Sequence, residues 1–329
     1  MPSQMEQRRI ERLGRDISVV GLGTWQLGAD WGQVSADDAH AVLEAAIDAG
    51  VTFFDTADVY GDGRSERFCG ELHARHPEVL VATKMGRRVE QLPENYNRAA
   101  FSAWNARSRE NLGVQRIDLV QLHCPPDEVY RDDAVFEALD ELVREGHIGA
   151  YGVSVETCEQ ALWAIERPHV ASVQIILNCF RLKPVEEVLP AARAAGIGII
   201  ARVPLASGML SGRYDERTSF SPEDHRSYNR HGEAFDVGET FSGVPYETGL
   251  AAVRELATLV DPGMTLAQFA LRWVIDQPGV STVIPGARNR EQVRQNAAAA
   301  ELARLRQEQL DGVIDVYDRL LREHVHAHW

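Results

Sequence analysis

The stretch V-T-F-F-D-T-A-D-V-Y, residues 51–60, sets a run of β-prone residues against a carboxylate at Asp55 and, one loop further on, a phenol at Tyr60. Short β-rich runs bounded by loops read as buried strands. Two more runs follow the same plan: V-L-V-A-T, 79–83, stops at Lys84, and I-D-L-V-Q-L, 117–122, stops at His123. The placement predicts one active site assembled from several strand ends. Taken singly, these residues read as a strand-end cap, a loop aromatic, a surface cation and a core histidine; taken together they read as chemistry. A phenol with a pKa of roughly 10 donates a proton poorly near neutrality unless a cation stabilises the phenolate. Lys84 can supply that cation, Asp55 can keep it charged, and His123 adds a hydrogen-bonding group beside the reacting oxygen. The four suit a general acid acting on a carbonyl that receives a hydride.

Outward from that stretch, strand and helix signals alternate. The strands ahead of Trp25 and Asp55 are joined by 79–83, 118–122, 148–153, 172–176, 197–201 and 280–284, which makes eight. Helical stretches such as 132–145 and 184–195 separate them. Before the Asp55 strand, Ser35 and Asp38 form a capping pair, 39–49 carries helical spacing, and Gly50 is its stop. This eightfold repeat predicts an α/β fold, a (β/α)8 TIM barrel forming one domain over 1–329, with its active site at the C-terminal strand ends. An N-terminal β-hairpin around Gly14 precedes the first barrel strand. Two insertions interrupt the rhythm: a polar loop over 213–245 after the seventh strand, and an extra C-terminal helix over 301–323. The loop contains D-H-R-S-Y-N-R-H, 224–231, and is expected to act as a cofactor clasp.

A net charge of -15 and a pI near 5.2 argue against nucleic-acid or anionic-membrane partners, both of which need a basic face. Cys69, Cys124, Cys158 and Cys179 are scattered, with neither disulfide-framework nor metal-ligand spacing, so no metal is expected. The polar start M-P-S-Q-M-E-Q-R-R lacks an apolar signal core, and no segment approaches the length of a membrane span. A soluble cytoplasmic protein is expected. The tail H-V-H-A-H-W, with His324, His326 and His328 at alternate positions, reads as a disordered polar end rather than a metal site.

Several signatures together resemble the aldo-keto reductase family, whose superfamily also holds the potassium-channel β-subunits. They are G-L-G-T-W at 21–25, F-D-T-A-D-V-Y-G at 54–61, the lysine of A-T-K and the histidine of Q-L-H. The likeness continues through G-V-S at 152–154, V-Q at 173–174, P-L-A-S-G-M-L-S-G-R at 204–213 and I-P-G-A-R-N-R-E-Q at 284–292. It implies NADPH-dependent reduction of an aldehyde or ketone without a Rossmann domain; G-L-G-T-W-Q is no dinucleotide fingerprint, because Gln26 stands where a glycine is needed. By the resemblance Tyr60 is the proton donor, Asp55 and Lys84 tune it, His123 orients the carbonyl, and Trp25 walls the substrate pocket. Gly23, Thr24, Trp25 and Asp55 would also touch the cofactor. Ser154 and Gln174 would meet its carboxamide, and Pro204, Leu205, Gly208, Leu210, Gly212 and Arg213 its pyrophosphate. Gly286, Ala287 and Arg288 would take the adenosine phosphate, with Gln292 and Asn296 at the adenosine end.

The last strand runs through Pro285 and Gly286 towards a helix whose free N–H groups favour an anion, and Arg288 adds charge where a 2′-phosphate would sit, which favours NADP over NAD. Three departures from the family pattern stand out. Arg202 occupies the position of a tyrosine that stacks on the nicotinamide; a guanidinium can also stack, and its charge is expected to disfavour the oxidised ring and bias the protein towards reduction. Val155 replaces an asparagine. Gly286 replaces a lysine, a loss of charge for which Arg226 and Arg230 are expected to compensate. Trp25, Trp31 and Tyr60 suggest an apolar or planar carbonyl. The alternative functions are the reverse reaction, as an alcohol or sugar dehydrogenase, and a cofactor-binding, redox-sensing regulatory subunit.

Overall fold

The computed structural model describes residues 5–28 and 34–329, so Trp31 lies outside the described residues. Strands β1 (Gln7–Ile10) and β2 (Arg15–Ser18) form the antiparallel hairpin, turned at Gly14, whose φ of 69° a glycine adopts without strain. Eight parallel strands follow: β3 (Leu22–Gly23), β4 (Phe53–Asp55), β5 (Leu80–Met85), β6 (Ile117–His123), β7 (Ile148–Ser154), β8 (Val170–Ile176), β9 (Gly198–Arg202) and β10 (Val280–Val283). Each pairs with its neighbour in chain order. Bridges from Val20 to Val283 and from Gly23 to Gly286 close the circle, with the Gly21 N–H donating to the Val283 carbonyl at 2.8 Å. The fold is a (β/α)8 barrel.

The alternation of side chains along each strand sorts the barrel interior into two levels. Phe53, Leu80, Leu119 and Ile200 fill the lower level, joined by Ile10 and Ile17 of the hairpin, which plugs the N-terminal end. Gly198 makes room for that plug, since a Cβ there would lie 2.7 Å from Ile10. Two residues further along the same strands, on the same face, come Asp55, Gln121 and Arg202, and Lys84 stands four residues beyond Leu80. The polar level therefore lies at the C-terminal strand ends because the apolar one fills the bottom.

The outer helices follow the capping logic. Ser35 accepts from the Asp38 N–H at the start of the helix Ala36–Asp48, and Asp132 caps the helix Asp133–Arg144. The helix expected over 301–323 starts only at Gln307 and runs to Val316, continuing through a wide turn, Tyr317–Leu321, into Arg322–Val325. Residues 302–306 stay outside it because Arg272 binds the carbonyls of Ala300 and Leu302 while Asp276 takes the Leu305 N–H at 2.9 Å. The expected disordered tail is instead packed. Trp329 is 8% exposed, lies 3.9 Å beneath the Arg181 guanidinium, and donates from its indole nitrogen to Asp236 at 3.1 Å. Among the described residues no cluster of three or more His, Cys, Asp or Glu is arranged to hold a metal, and no helix is long and apolar enough to cross a membrane.

Candidate active site

A cavity of about 1080 Å³ opens at the C-terminal end of the barrel. Asp55, Tyr60 and His123 line it, and Lys84, 2% exposed, lies just beneath. The Lys84 Nζ donates to the Asp55 carboxylate at 2.5 Å, to the Thr56 carbonyl at 2.9 Å and to the Tyr60 hydroxyl at 3.4 Å. All four residues named from the strand ends thus come together. Trp25 stacks on Tyr60 with ring centroids 6.0 Å apart, and the His123 ring meets Tyr60 edge-on at the same distance. Trp25 is therefore a wall of the cavity.

Burial works against a charged Lys84, but the Asp55 carboxylate and the Tyr60 phenol outweigh it and raise its pKa, so the ammonium persists. Burial also raises the pKa of Tyr60 above the usual phenol value, with Lys84 opposing the shift. The cation acts in the expected direction, but burial outweighs it. Tyr60 stays firmly protonated, and the cation beside it limits the cost of losing the proton. His123 is held well below the ordinary imidazole range by burial and by Arg87, Lys84 and Arg202, so its ring is neutral.

Gln121, which the sequence reading passed over, donates to Asp55 at 3.1 Å; it sits inside the quoted Q-L-H, two residues before His123 and hence on the same face of β6. Gln174 donates to Asp55 at 2.8 Å and to Gln121 at 3.2 Å, which leaves its carbonyl oxygen as the group it can offer a ligand. Ser154 lines the cavity beside Cys124, and Thr24 turns its hydroxyl to the Asp55 carbonyl at 2.9 Å. Asp58, two residues before Tyr60, is 1% exposed, and among the described residues neither of its carboxylate oxygens has a hydrogen-bond partner. Burial, and then Glu66, push its pKa up to about 7 against the pull of Arg88 and Arg107.

Arg202 lies in the cavity wall, but not as an uncompensated cation. It donates to Glu156 at 2.8 Å, to the Val155 carbonyl at 2.9 Å and to Glu239, so two carboxylates offset its charge and the expected bias against an oxidised ring loses its physical basis. Glu156 also binds Arg87 at 2.8 Å. Val155, the second departure, is buried and contributes only its backbone here. At the third, Gly286, a Cβ would fall 2.2 Å from the Gln26 amide, so a longer side chain there would require that glutamine to swing aside.

Glu239 belongs to the long loop, which crosses the cavity opposite the segment after β9. The Ser207 hydroxyl donates to the Glu239 carbonyl at 2.8 Å and accepts from the Phe241 N–H at 3.1 Å. Five non-glycine residues on these facing segments, Val203, Ala206, Ser207, Phe241 and Ser242, have positive φ, a strain that tends to collect at ligand clamps. Gly23, Pro204, Leu205, Gly208 and Arg213 line the cavity, as do Gly286, Ala287, Arg288, Gln292 and Asn296 at its far end. Gln292 accepts from the Arg288 N–H at 2.8 Å and Asn296 donates to the Gly286 carbonyl at 3.3 Å, so both also hold that turn. Two expected cofactor residues do not line the cavity. Leu210 is buried in the hydrophobic core, and Gly212, at φ 71°, closes the turn against Leu266. Of the two loop arginines, Arg226 lines the cavity and pairs with Asp224, whereas Arg230 stacks on Phe241 and Tyr246 and adds no charge to the wall.

Residues 19–318 match the model of the Aldo/keto reductase family. Aldo-keto reductase YhdN of Bacillus subtilis is 31% identical over 294 residues, 86% of this chain and 85% of that protein. Among solved structures, the glycerol dehydrogenase AKR11B4 from Gluconobacter oxydans is 30% identical, with a TM-score of 0.77 over 99% of this chain and 97% of that one. An aldo-keto reductase from Klebsiella pneumoniae in complex with NADPH is 26% identical, with a TM-score of 0.68 over 95% and 96% of the two chains.

Proposed function

We propose, from the premise that the chain belongs to the aldo/keto reductase family, that it is an NADPH-dependent carbonyl reductase using Tyr60 as proton donor. The observation that carries the reading is the position of Lys84, bound to Asp55 at 2.5 Å and reaching the Tyr60 hydroxyl at 3.4 Å at the bottom of a cavity. The cavity fits the cofactor by its lining: Arg213 and Arg288 stand at the end that would receive phosphates, and Ser154 and Gln174 would offer hydrogen bonds to a carboxamide near Tyr60. NADPH, when bound, supplies the hydride.

The chain's own groups do the rest. Tyr60 gives its proton to the carbonyl oxygen, and the phenolate left behind faces a lysine that Asp55 keeps charged. Neutral His123 presents a hydrogen bond to that oxygen without competing as an acid. Tyr60→Phe is expected to lower kcat by about 100- to 10,000-fold while NADPH still binds, read as loss of NADPH absorbance with a panel of aldehydes and ketones. Wild-type protein that binds NADPH and turns over no carbonyl would sink the reading. The reverse reaction, oxidation of an alcohol, is a second reading favoured by one observation: Glu156 and Glu239 neutralise Arg202, so no bare cation opposes an oxidised nicotinamide.

A further inference from the structure

We propose that Arg87 selects carbonyl substrates with a second, uncharged oxygen on the carbon next to the carbonyl, namely α-hydroxy aldehydes, α-hydroxy ketones and α-dicarbonyls. The inference rests on the reading above that carbonyls are reduced at Tyr60. Arg87 stands on the turn that follows β5, three residues past Lys84, and lines the cavity. Two bonds fix its planar fork. The Nε donates to the His123 carbonyl at 3.2 Å, and Nη2 donates to Glu156 at 2.8 Å. Among the described residues Nη1 donates to none, and the side chain is 22% exposed. A rigid donor whose Nη1 keeps both of its N–H groups unused is thereby anchored to the backbone of the residue whose ring faces Tyr60.

Charge decides which oxygen it takes. Arg87 and Arg202 are balanced by Glu156 and Glu239, so a substrate carboxylate would bring an uncompensated negative charge into a largely buried site beside two others. A hydroxyl or second carbonyl oxygen asks only for one N–H and disturbs no ion pair. Trp25, Val89 and Phe235 line the same cavity and give a short carbon chain apolar contact.

The test compares kcat/KM for diacetyl, butanone and pyruvate in wild type, Arg87→Met and Arg87→Lys, with NADPH binding followed by fluorescence in each. Lysine keeps a cation for Glu156 but cannot hold the two anchors and the substrate at once, so it guards against a methionine variant that fails to fold. The expected result is a preference for diacetyl over butanone that falls about 10- to 100-fold in both variants, with pyruvate poor throughout. An unchanged preference, an equal loss for diacetyl and butanone, failure of both variants to bind NADPH, or pyruvate outpacing diacetyl in wild type would each overturn the assignment. No wild-type turnover of any carbonyl would instead sink the reductase reading itself.

Discussion

The two ends of the cavity are built differently. Around Tyr60 the polar groups stand on or next to barrel strands: Asp55, Lys84, Gln121, His123 and Gln174 come from four parallel strands, and below the first four of these residues Phe53, Leu80 and Leu119 pack the barrel interior. Around the segment after β9 they stand on loops, held by the Arg202–Glu239 pair, by Ser207 and by backbone at positive φ. The strand-borne end is positioned by the core and cannot move without disturbing it. The loop-borne end is held by polar pairs and by Phe241 and Val244 packed into the core, with no barrel strand beneath its polar groups, so it is expected to yield to substitution before the barrel does.

Breaking the strand-borne end should have the largest effect. Lys84→Met leaves Asp55 buried without its cation, and removing one partner of such a pair costs about 3–5 kcal/mol of stability, which denaturant unfolding would measure. Carbonyl reduction should fall with it, by a factor no smaller than that of Tyr60→Phe.

Asp58→Asn should act in the other direction. The folded carboxyl is raised to about 7, so its contribution is fully present below the unfolded value near 4 and is lost as pH rises through 7. The wild type should therefore lose stability relative to the variant between pH 4 and 8, by about 2–4 kcal/mol at the upper end, at a little over 1 kcal/mol per pKa unit. Equal unfolding midpoints for the two proteins at pH 8 would show that the carboxyl has found a partner or a proton.

The loop-borne end should yield to a milder change. Glu239→Gln removes one of the two carboxylates on Arg202 and is expected to weaken NADPH binding about 5- to 30-fold, and to speed proteolysis within 213–245, as loss of one buried charge-assisted bond would. Unchanged cleavage, with and without NADPH, would mean that this loop is as rigid as the barrel. The smallest effect is expected for the acid limb of the pH profile. With His123 held neutral, kcat/KM for reduction should stay level as pH falls through the ordinary imidazole range near ~6.5, and at high pH it should decline only once Tyr60, itself raised, begins to lose its proton.

Much of the strand-borne end was legible in the chain. Asp55, Lys84 and His123 each close an apolar run, and period-2 alternation places them on the face that fills the barrel. The same rule could have found Gln121, which shares its face with His123. Other readings failed for identifiable reasons. The C-terminal helix starts late because Arg272 and Asp276 claim the backbone of residues 300–305 from another helix. The tail is ordered because Trp329 finds Arg181 and Asp236. Leu210, next to Met209 in a run of small and apolar residues, turned into the core with it.

Strand order, the eightfold repeat and the polar groups at the strand ends were written in local pattern, because burial on both faces of a parallel strand imposes its own residue spacing. The electrostatics of the cavity were decided only by folding. Arg202 meets Glu239 across 37 positions and Glu156 across 46, and Glu156 meets Arg87 across 69. An ion pair between distant loops leaves no periodicity behind it; whether Arg202 stands as a bare cation or a neutralised one depends on which carboxylates the barrel brings within 3 Å of it.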